Sequence, residues 1–233
     1  MSLRQRFWVI LFYGWLLLLP AFAWGQPAEV LSRTLAHQPH QRYYLYLPED
    51  FDSTKLYPLF VAVHWYTGSG QQQIEMWHNF TSRDQYILLA PEFHDGYQWL
   101  KNEDDRILIQ IFNQVAREFP FDWQKVYLVG CSGGAQFVHR FAFRHPEFVR
   151  AAAVIAAGGY SIPPMGLTPA PKFFVAVGEK DERRLITEQF AQQLQQQGYD
   201  VEFKIYPGIG HACNIDVQES VTEYLQALEK KLK

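Results

Sequence analysis

The sequence has few cysteines, a modest share of charged residues and no basic run. Of its 233 residues, two are cysteine and 19% are charged, and the net charge is −3. The lack of a Lys- or Arg-rich segment argues against nucleic acid as a partner. His37-x-x-His40 is too isolated to indicate a metal site, and no other metal-ligand spacing stands out. We therefore expect no metal and no nucleic-acid partner.

The chain also lacks internal repeats and low-complexity linkers. With 48% hydrophobic residues, its length is sufficient for one sizeable core. We expect a single folded domain over residues 26–233.

Residues 1–25 have the layout of a secretory signal peptide. Arg4 and Arg6 precede an apolar run at 7–19, and a proline and a small-residue pattern follow at 20–23. The alternative, an uncleaved membrane anchor, fits less well, because a span needs about 20 apolar residues and a glycine interrupts this run. We therefore expect cleavage and export to the periplasm or medium, with no stable membrane span afterwards. Loss of both arginines would change the net charge from −3 to about −5.

Strand-like and helix-like segments alternate after the signal segment, which favours a parallel sheet with crossover helices. Several strand candidates are continuous apolar runs, as in strands covered on both faces. The predicted strands are 43–47, 59–65, 86–90, 125–130, 151–157, 172–178 and 201–206, and the predicted helices lie near 71–84, 103–118, 134–145, 183–197 and 215–231.

One pentapeptide in "VYLVGCSGGAQF" carries the strongest chemical signal. Gly130–Gly134 fits G-x-S-x-G and lies between a predicted strand and a predicted helix. This is the context of a nucleophile elbow, in which small residues flank a strained turn and expose a serine hydroxyl. An ordinary tight turn is the alternative. We predict that Ser132 is a nucleophile and that the backbone N–H of Gly133 stabilises an oxyanion.

A serine hydroxyl needs a base to accept its proton, and that base needs an acid to orient it. His211 lies in the loop between the last strand and the last helix, which fits the base in a Ser, acid, His order. Asp181 follows the strand "KFFVAVG" and fits the acid. Glu179 is the rival acid, and capping of the following helix is the structural alternative for Asp181.

The second oxyanion donor should come from the loop "HWYTGSG" at residues 64–70. We predict the backbone N–H of Tyr66, with Trp65 as the alternative. His64 is expected to organise this loop rather than to act as a base.

Aromatic residues near the same sheet edge are candidates for substrate binding. Trp65, Tyr97 and Trp99 could stack on a phenolic or sugar ring, although loop packing is the simpler role for such residues. Only about a dozen residues separate "AAAVIAAG" from "KFFVAVG". That connection is too short for a helical lid, so we expect an open cleft.

The segments "PLFVAVHWYTGSG", "VYLVGCSGGAQFVHRFAFRHPEFVRAAAVIAAG", "VAVGEKD" and "GIGH" resemble α/β-hydrolases. The similarity is to small exported esterases of the poly(3-hydroxybutyrate) depolymerase and feruloyl esterase type. It covers residues 40–230 and implies carboxylic-ester hydrolysis without a cofactor, on small or polymer-derived esters. Trp65 departs from the resemblance, since glycine is common at its position. The residues alone imply acyl transfer to water, so a serine peptidase and a non-catalytic ligand-binding protein stay open.

The two cysteines flank the predicted catalytic residues. Cys131 precedes Ser132, and Cys213 lies two residues after His211. A working triad would bring both to one end of the sheet, and an exported protein meets an oxidising compartment. The arrangement resembles tannases and fungal feruloyl esterases, where a disulfide links the neighbours of the catalytic serine and histidine. A disulfide is therefore expected, with two buried thiols as the alternative.

Overall fold

The computed structural model describes residues 30–93, 103–213 and 215–231. The predicted signal segment 1–25 and the candidates Tyr97 and Trp99 lie outside the described residues. The elements are, in chain order, β1 (Val30–Leu35), β2 (Gln38–Tyr46), β3 (Tyr57–Val63), α1 (Gly70–Arg83), β4 (Ile87–Pro91), α2 (Glu103–Glu118), β5 (Phe121–Cys131), α3 (Gly133–Arg144), β6 (Ala151–Ile155), β7 (Lys172–Gly178), α4 (Arg184–Gln196), β8 (Val201–Tyr206) and α5 (Ile215–Lys230).

The strands form one sheet in the order β1-β2-β4-β3-β5-β6-β7-β8. Strands β3 to β8 are parallel to one another, whereas β1 and β2 pair antiparallel at one edge. Every residue of β4 and β6 is buried, as expected for strands covered on both faces. The predicted mostly parallel sheet flanked by helices is confirmed.

Helices cover both faces of the sheet and divide the core into two layers. Apolar residues of α2, α3 and α4 pack on one face, including Phe112, Phe141 and Phe190. Residues of α1 and α5 pack on the other, including Trp77 and Val221. Helices α1 and α5 therefore lie on the same face of the sheet, opposite the other three.

The antiparallel edge differs from the sequence prediction, which began the first strand at residue 43. The structure has an additional strand, β1, and extends β2 back to Gln38. Alternate residues of β1 are exposed, so its sequence lacks the continuous apolar run that identified the central strands. Pro39 also weakens the strand signal of β2, although proline is tolerated in strands near an edge.

Two further features position the site. The connection 156–171 between β6 and β7 contains neither helix nor strand, so no helical lid is inserted at this point of the chain. The loops after β3, β5, β7 and β8 all leave from the carboxyl end of the parallel sheet, where α/β proteins bind ligands. Within the described ranges, no helix combines the length and apolar character needed to cross a bilayer.

Candidate active site

Ser132 occupies a sharp turn between β5 and α3. Its backbone has φ 54° and ψ −114°, a conformation that residues other than glycine rarely adopt. The turn is held by the N–H of Ser132, which donates to Ile155 O at 2.9 Å, and by the N–H of Gln136, which donates to Ser132 O at 3.2 Å. The Ser132 hydroxyl makes no capping hydrogen bond to α3 in the described structure. This is the geometry that the G-x-S-x-G prediction requires.

The glycines of the pentapeptide are needed because α3 approaches the sheet closely. A Cβ on Gly134 would overlap the carbonyl oxygen of Val63 and come within 2.7 Å of that of His64. A Cβ on Gly130 would overlap the backbone of Gly134. A side chain at either position would push the helix away from β3 and move the serine with it. Gly133, the first residue of α3, has a backbone N–H without an acceptor inside the helix.

His211 and Asp181 are joined by a hydrogen bond across two loops. His211 Nδ1 lies 2.8 Å from Asp181 Oδ2. Because an ionised carboxylate only accepts, Nδ1 is the donor, and Nε2 is left as the acceptor in the neutral ring. The Asp181 side chain is fully buried, whereas that of His211 is 35% exposed. The arrangement leaves His211 accessible and Asp181 shielded from water.

The second oxygen of Asp181 holds its own loop. Asp181 Oδ1 accepts the backbone N–H of Arg183 at 2.9 Å, and the Arg183 guanidinium lies 3.7 Å from the same oxygen. At the start of α4 the N-cap residue is Arg183, and no side chain makes a capping hydrogen bond there. Asp181 Oδ1 instead stabilises the turn before the helix, while Oδ2 binds His211. A single carboxylate fixes both loops.

Glu179, the rival acid, has a different partner. Its Oε2 accepts the backbone N–H of Gly208 at 2.8 Å. In the same region the N–H of Lys180 donates to Ile209 O at 2.8 Å, and Gly178 packs directly against the backbone of Ile209. Glu179 therefore supports the loop that carries His211 without contacting the imidazole.

Cys131 and Cys213 form a disulfide. Their Cα atoms are 6.4 Å apart, within the range of protein disulfides, so the intervening Ala212 does not prevent the bridge. The alternative of two free thiols is wrong. The bond joins the residue before Ser132 to the loop of His211 and adds a covalent constraint to the hydrogen bonds described above.

These loops enclose a cavity of about 390 Å³. Four of the predicted site residues line it together with the disulfide: Ser132, His211, Trp65 and Tyr66. Three further lining residues were not predicted, and they are Thr67, Met76 and Ala212. Thr67 and Ala212 are neighbours of predicted residues and could have been included on that ground. Met76 lies on α1, and nothing in its local sequence marks it.

A buried histidine shapes the loop of Trp65 and Tyr66. His64 Nδ1 lies 2.7 Å from Trp65 O, which also accepts the N–H of Gly68 at 2.9 Å in a four-residue turn. His64 Nε2 accepts the N–H of Phe93 at 3.1 Å. Both ring nitrogens of His64 thus bind backbone groups, in agreement with the organising role expected. Across the described residues, no group of His, Cys, Asp and Glu side chains is placed to hold a metal ion.

Comparison with known proteins identifies related chains. Two are probable feruloyl esterases C, from Aspergillus niger (28% identical over 137 residues) and Aspergillus terreus (28% identical over 126 residues). The matches cover 54% and 51% of this chain, and 51% and 47% of those proteins. The chain thus spans about half the length of the curated relatives that it matches.

Solved structures share the fold at low sequence identity. The S-formylglutathione hydrolase of Staphylococcus aureus superposes with a TM-score of 0.69 at 14% identity, covering 86% of this chain and 97% of the other. A ferulic acid esterase from Anaeromyces mucronatus gives a TM-score of 0.68 at 13% identity, covering 87% and 90%. Both similarities support the α/β-hydrolase fold.

A family model matches a larger part of the chain. It is that of the dienelactone hydrolase family, and it covers residues 89–231. The matched region contains the turn at Ser132, the loop of Asp181 and the loop of His211. The chain therefore belongs to the dienelactone hydrolase family.

Proposed function

We propose that this protein is a serine hydrolase that cleaves carboxylic esters through Ser132, His211 and Asp181. The observation that carries the proposal is the 2.8 Å hydrogen bond between His211 and buried Asp181, at a cavity that Ser132 also lines. A base oriented in this way at a cavity lined by a serine is the arrangement that nucleophilic acyl transfer requires.

In the first half of the reaction, Ser132 Oγ attacks the ester carbonyl carbon while its proton passes to His211 Nε2. The resulting imidazolium is stabilised by Asp181. The tetrahedral intermediate collapses, the bond to the alcohol oxygen breaks, and His211 returns the proton to the departing alcohol. An acyl-enzyme on Ser132 remains. Water then attacks the acyl carbon with His211 as the base, and the acid product leaves with Ser132 restored.

The oxyanion is held by the backbone N–H groups of Gly133 and Tyr66. Gly133 begins α3, so the partial positive charge at that helix terminus adds to the stabilisation. Tyr66 follows Trp65 in the turn that His64 and Gly68 hold. The fixed turn supports a preorganised donor, because the backbone of Tyr66 need not move when the charge develops.

The acyl portion of the substrate is proposed to be aromatic, with hydroxycinnamates as the first class to test. Two observations support this choice: the relatives are named feruloyl esterases, and the cavity is bordered by Trp65 and Tyr66. Tyr97 and Trp99 remain candidates for the same wall. Small aliphatic and hydroxyalkanoate esters are the alternative acyl groups.

Export to the periplasm or medium is part of the proposal. The signal-like segment 1–25 and the disulfide both fit an oxidising compartment. N-terminal sequencing of the protein from the culture or periplasm tests it. A mature terminus near residue 25 is expected, and an intact Met1 on membrane-bound protein would contradict it.

Fluorophosphonate labelling followed by peptide mapping tests the central claim. Label on Ser132 in the wild type, and none in Ser132→Ala, is expected. A panel of p-nitrophenyl, hydroxycinnamate and hydroxyalkanoate esters, compared with peptide p-nitroanilides, then separates the classes. Faster turnover of the anilides would favour a peptidase, and an unlabelled Ser132 would favour a non-catalytic binding protein.

A further inference from the structure

The sheet ends at β8, whose outer edge is open. Among the described residues, β8 pairs with β7 alone. None of its six residues is buried, and Ile205 is 37% exposed, whereas every residue of the central strands β4 and β6 is buried. An open strand edge presents backbone N–H and C=O groups that can bind another strand. The outer edge of β8 is therefore a surface to which a strand can be added.

The hydrogen bonds to β7 show which backbone groups of β8 point outwards. The N–H of Glu179, which directly follows β7, donates to Tyr206 O at 2.9 Å. The backbone of Tyr206 therefore points towards β7. Because the direction of the backbone groups alternates along a strand, the N–H and C=O groups of Val201, Phe203 and Ile205 point to the open side.

The sequence of β8, "VEFKIY", is self-complementary about Phe203. A second copy of this edge, related by a two-fold axis, runs antiparallel to the first, and the outward backbone groups of the two strands must face each other. With the axis at Phe203, Val201 lies opposite Ile205 and Phe203 lies opposite its own copy, and each pair exchanges two backbone hydrogen bonds. Glu202 then lies opposite Lys204 on both sides of the axis.

Charge selects this register over its neighbours. An axis at Glu202 or at Lys204 also satisfies the backbone, but it places two glutamates or two lysines directly opposite each other. Like charges directly opposite destabilise a strand pair, whereas opposite charges stabilise it. A lysine on an edge strand ordinarily opposes pairing. Here Glu202 offsets Lys204, because the two side chains share one face of the strand, lie 3.2 Å apart and are both solvent-exposed.

The other face of β8 adds an apolar contact. Val201 and Phe203 pack against the core layer of α3 and α4 but are only partly buried, and Ile205 is exposed. Pairing about Phe203 would bring these three side chains against those of the second copy and remove apolar surface from water. A strand of six residues is only about 20 Å long, so the contact is small and the dimer should dissociate on dilution.

We infer that the outer edge of β8 binds a second copy of this chain, so that the two sheets join antiparallel about Phe203 into one continuous sheet. A second copy is the occupant because the charges of β8 are complementary to those of β8 itself. The joined strands run in opposite directions, so the carboxyl edges of the two sheets face opposite ways and neither cavity at Ser132 is covered by this contact. The inference does not depend on the proposed function.

Charge reversal on β8 tests both the surface and its register. Glu202→Lys and Lys204→Glu each place like charges opposite each other twice, and each should weaken the dimer about tenfold or more in sedimentation velocity. An equimolar mixture of the two single variants should associate again, because each then supplies the charge that the other lacks. This recovery cannot come from the ion pair within one chain, since neither variant regains that pair. The double variant Glu202→Lys/Lys204→Glu should dimerise like the wild type.

Glu118→Lys is the matched control. It breaks a similarly exposed ion pair, that of Glu118 with Arg33 on β1 at the opposite edge of the sheet, and it should leave the dimer unchanged. Circular dichroism checks that each variant is folded. A wild type that stays monomeric up to about 200 μM would overturn the inference. Unchanged association in both single variants of β8, or a mixture of them that does not associate, would also overturn it.

Discussion

Two histidines in different regions of this molecule show how surroundings decide what an imidazole can do. His211 lies between two loops, is 35% exposed and binds a carboxylate through Nδ1. His139 lies within α3, is fully buried and has Nδ1 2.8 Å from the carbonyl oxygen of Ala135. Its Nε2 accepts the N–H of Ser161 at 3.0 Å. His139 thus has both nitrogens committed to backbone groups.

The difference lies in charge as well as access. Burial lowers the pKa of His139 to about 3, so its ring stays neutral over the physiological range. In the proposed mechanism, the Asp181 carboxylate beside His211 stabilises the positive charge that the ring takes up during acyl transfer. The comparison teaches that a histidine acts as a base where its second nitrogen is accessible and its first binds an anion.

The largest expected effect separates the two histidines directly. His211→Ala should reduce ester turnover by about 10⁴-fold or more in protein that is still folded, because it removes the base. His139→Ala should instead destabilise the fold by about 2–4 kcal/mol, since it creates a cavity and leaves the Ser161 N–H unsatisfied. Steady-state kinetics and urea unfolding of both variants check this. Equal losses of turnover per folded molecule would invalidate the contrast.

The second prediction tests whether the negative charge of Asp181 is needed for His211 to act as a base. Asp181→Asn should lower kcat by about 10⁴-fold, because an amide favours the wrong tautomer and cannot stabilise the imidazolium. Glu179→Gln is the control, and it should change kcat less than about threefold, since Glu179 binds Gly208 instead. Near-full activity in Asp181→Asn would overturn the choice of acid.

A third prediction concerns the covalent constraint, which only the His211 region has. Cys131→Ala/Cys213→Ala should lower the free energy of unfolding by about 4 kcal/mol, because the bond closes a loop with a sequence separation of 82 residues. Denaturant unfolding measures this loss. Cys131→Ser/Cys213→Ser is the control for residue size and polarity. A change below about 1 kcal/mol in both double variants would contradict the prediction.

Loss of the proposed oxyanion donor, the backbone N–H of Tyr66, is expected to have a somewhat smaller effect. Tyr66→Pro removes the backbone N–H and should lower kcat by about 10²- to 10³-fold. Proline suits this position, the second residue of the turn from Trp65 to Gly68. Tyr66→Ala keeps the N–H and should retain kcat within about threefold for a small aliphatic ester. If the two variants behaved alike, the backbone of Tyr66 would not be the donor.

The smallest effect is the pH dependence of stability from His139. Its pKa falls from about 6.5 in the unfolded chain to about 3 in the fold, so its contribution is complete above pH 6.5 and is lost as the pH falls towards 3. Acidification from pH 6.5 to 5 should therefore cost about 2 kcal/mol through this residue. His139→Gln should lose correspondingly less over that interval in urea unfolding. If the free energy of unfolding changed with pH in the same way in the wild type and in His139→Gln, His139 would not be the source of the pH dependence.

Much of the fold could be predicted because the central strands are buried on both faces. The bounds predicted for 172–178 and 201–206 agree with β7 and β8, and 103–118 agrees with α2. Order along the chain also indicated the hydrogen-bonded partners Asp181 and His211, since each follows a parallel strand at the same edge. The edge strand β1 was missed because half of it faces water and its residues alternate.

The role of Met76 could not be predicted from local sequence. It lies on an amphipathic helix, and its place beside Ser132 depends on how α1 packs against the sheet and against α5. The same is true of a groove of about 440 Å³ between α1 and α5, which is lined by residues more than 130 positions apart, such as Asn79 and Glu223. Polar residues that directly follow parallel strands can be placed at one sheet edge from their order along the chain. Contacts between helices cannot be placed in this way, because they depend on how the helices pack.

The Cys131–Cys213 bond makes the intervening chain a closed covalent ring. The ring contains α3, β6, β7, α4 and β8, and therefore Ser132, Asp181 and His211. It includes the connection 156–171, where Ile162 is 84% exposed. A protease that cuts there leaves the two fragments as one molecule, because Ser132 and His211 stay tethered through the sulfurs. Such a nicked protein would separate into two chains only after reduction.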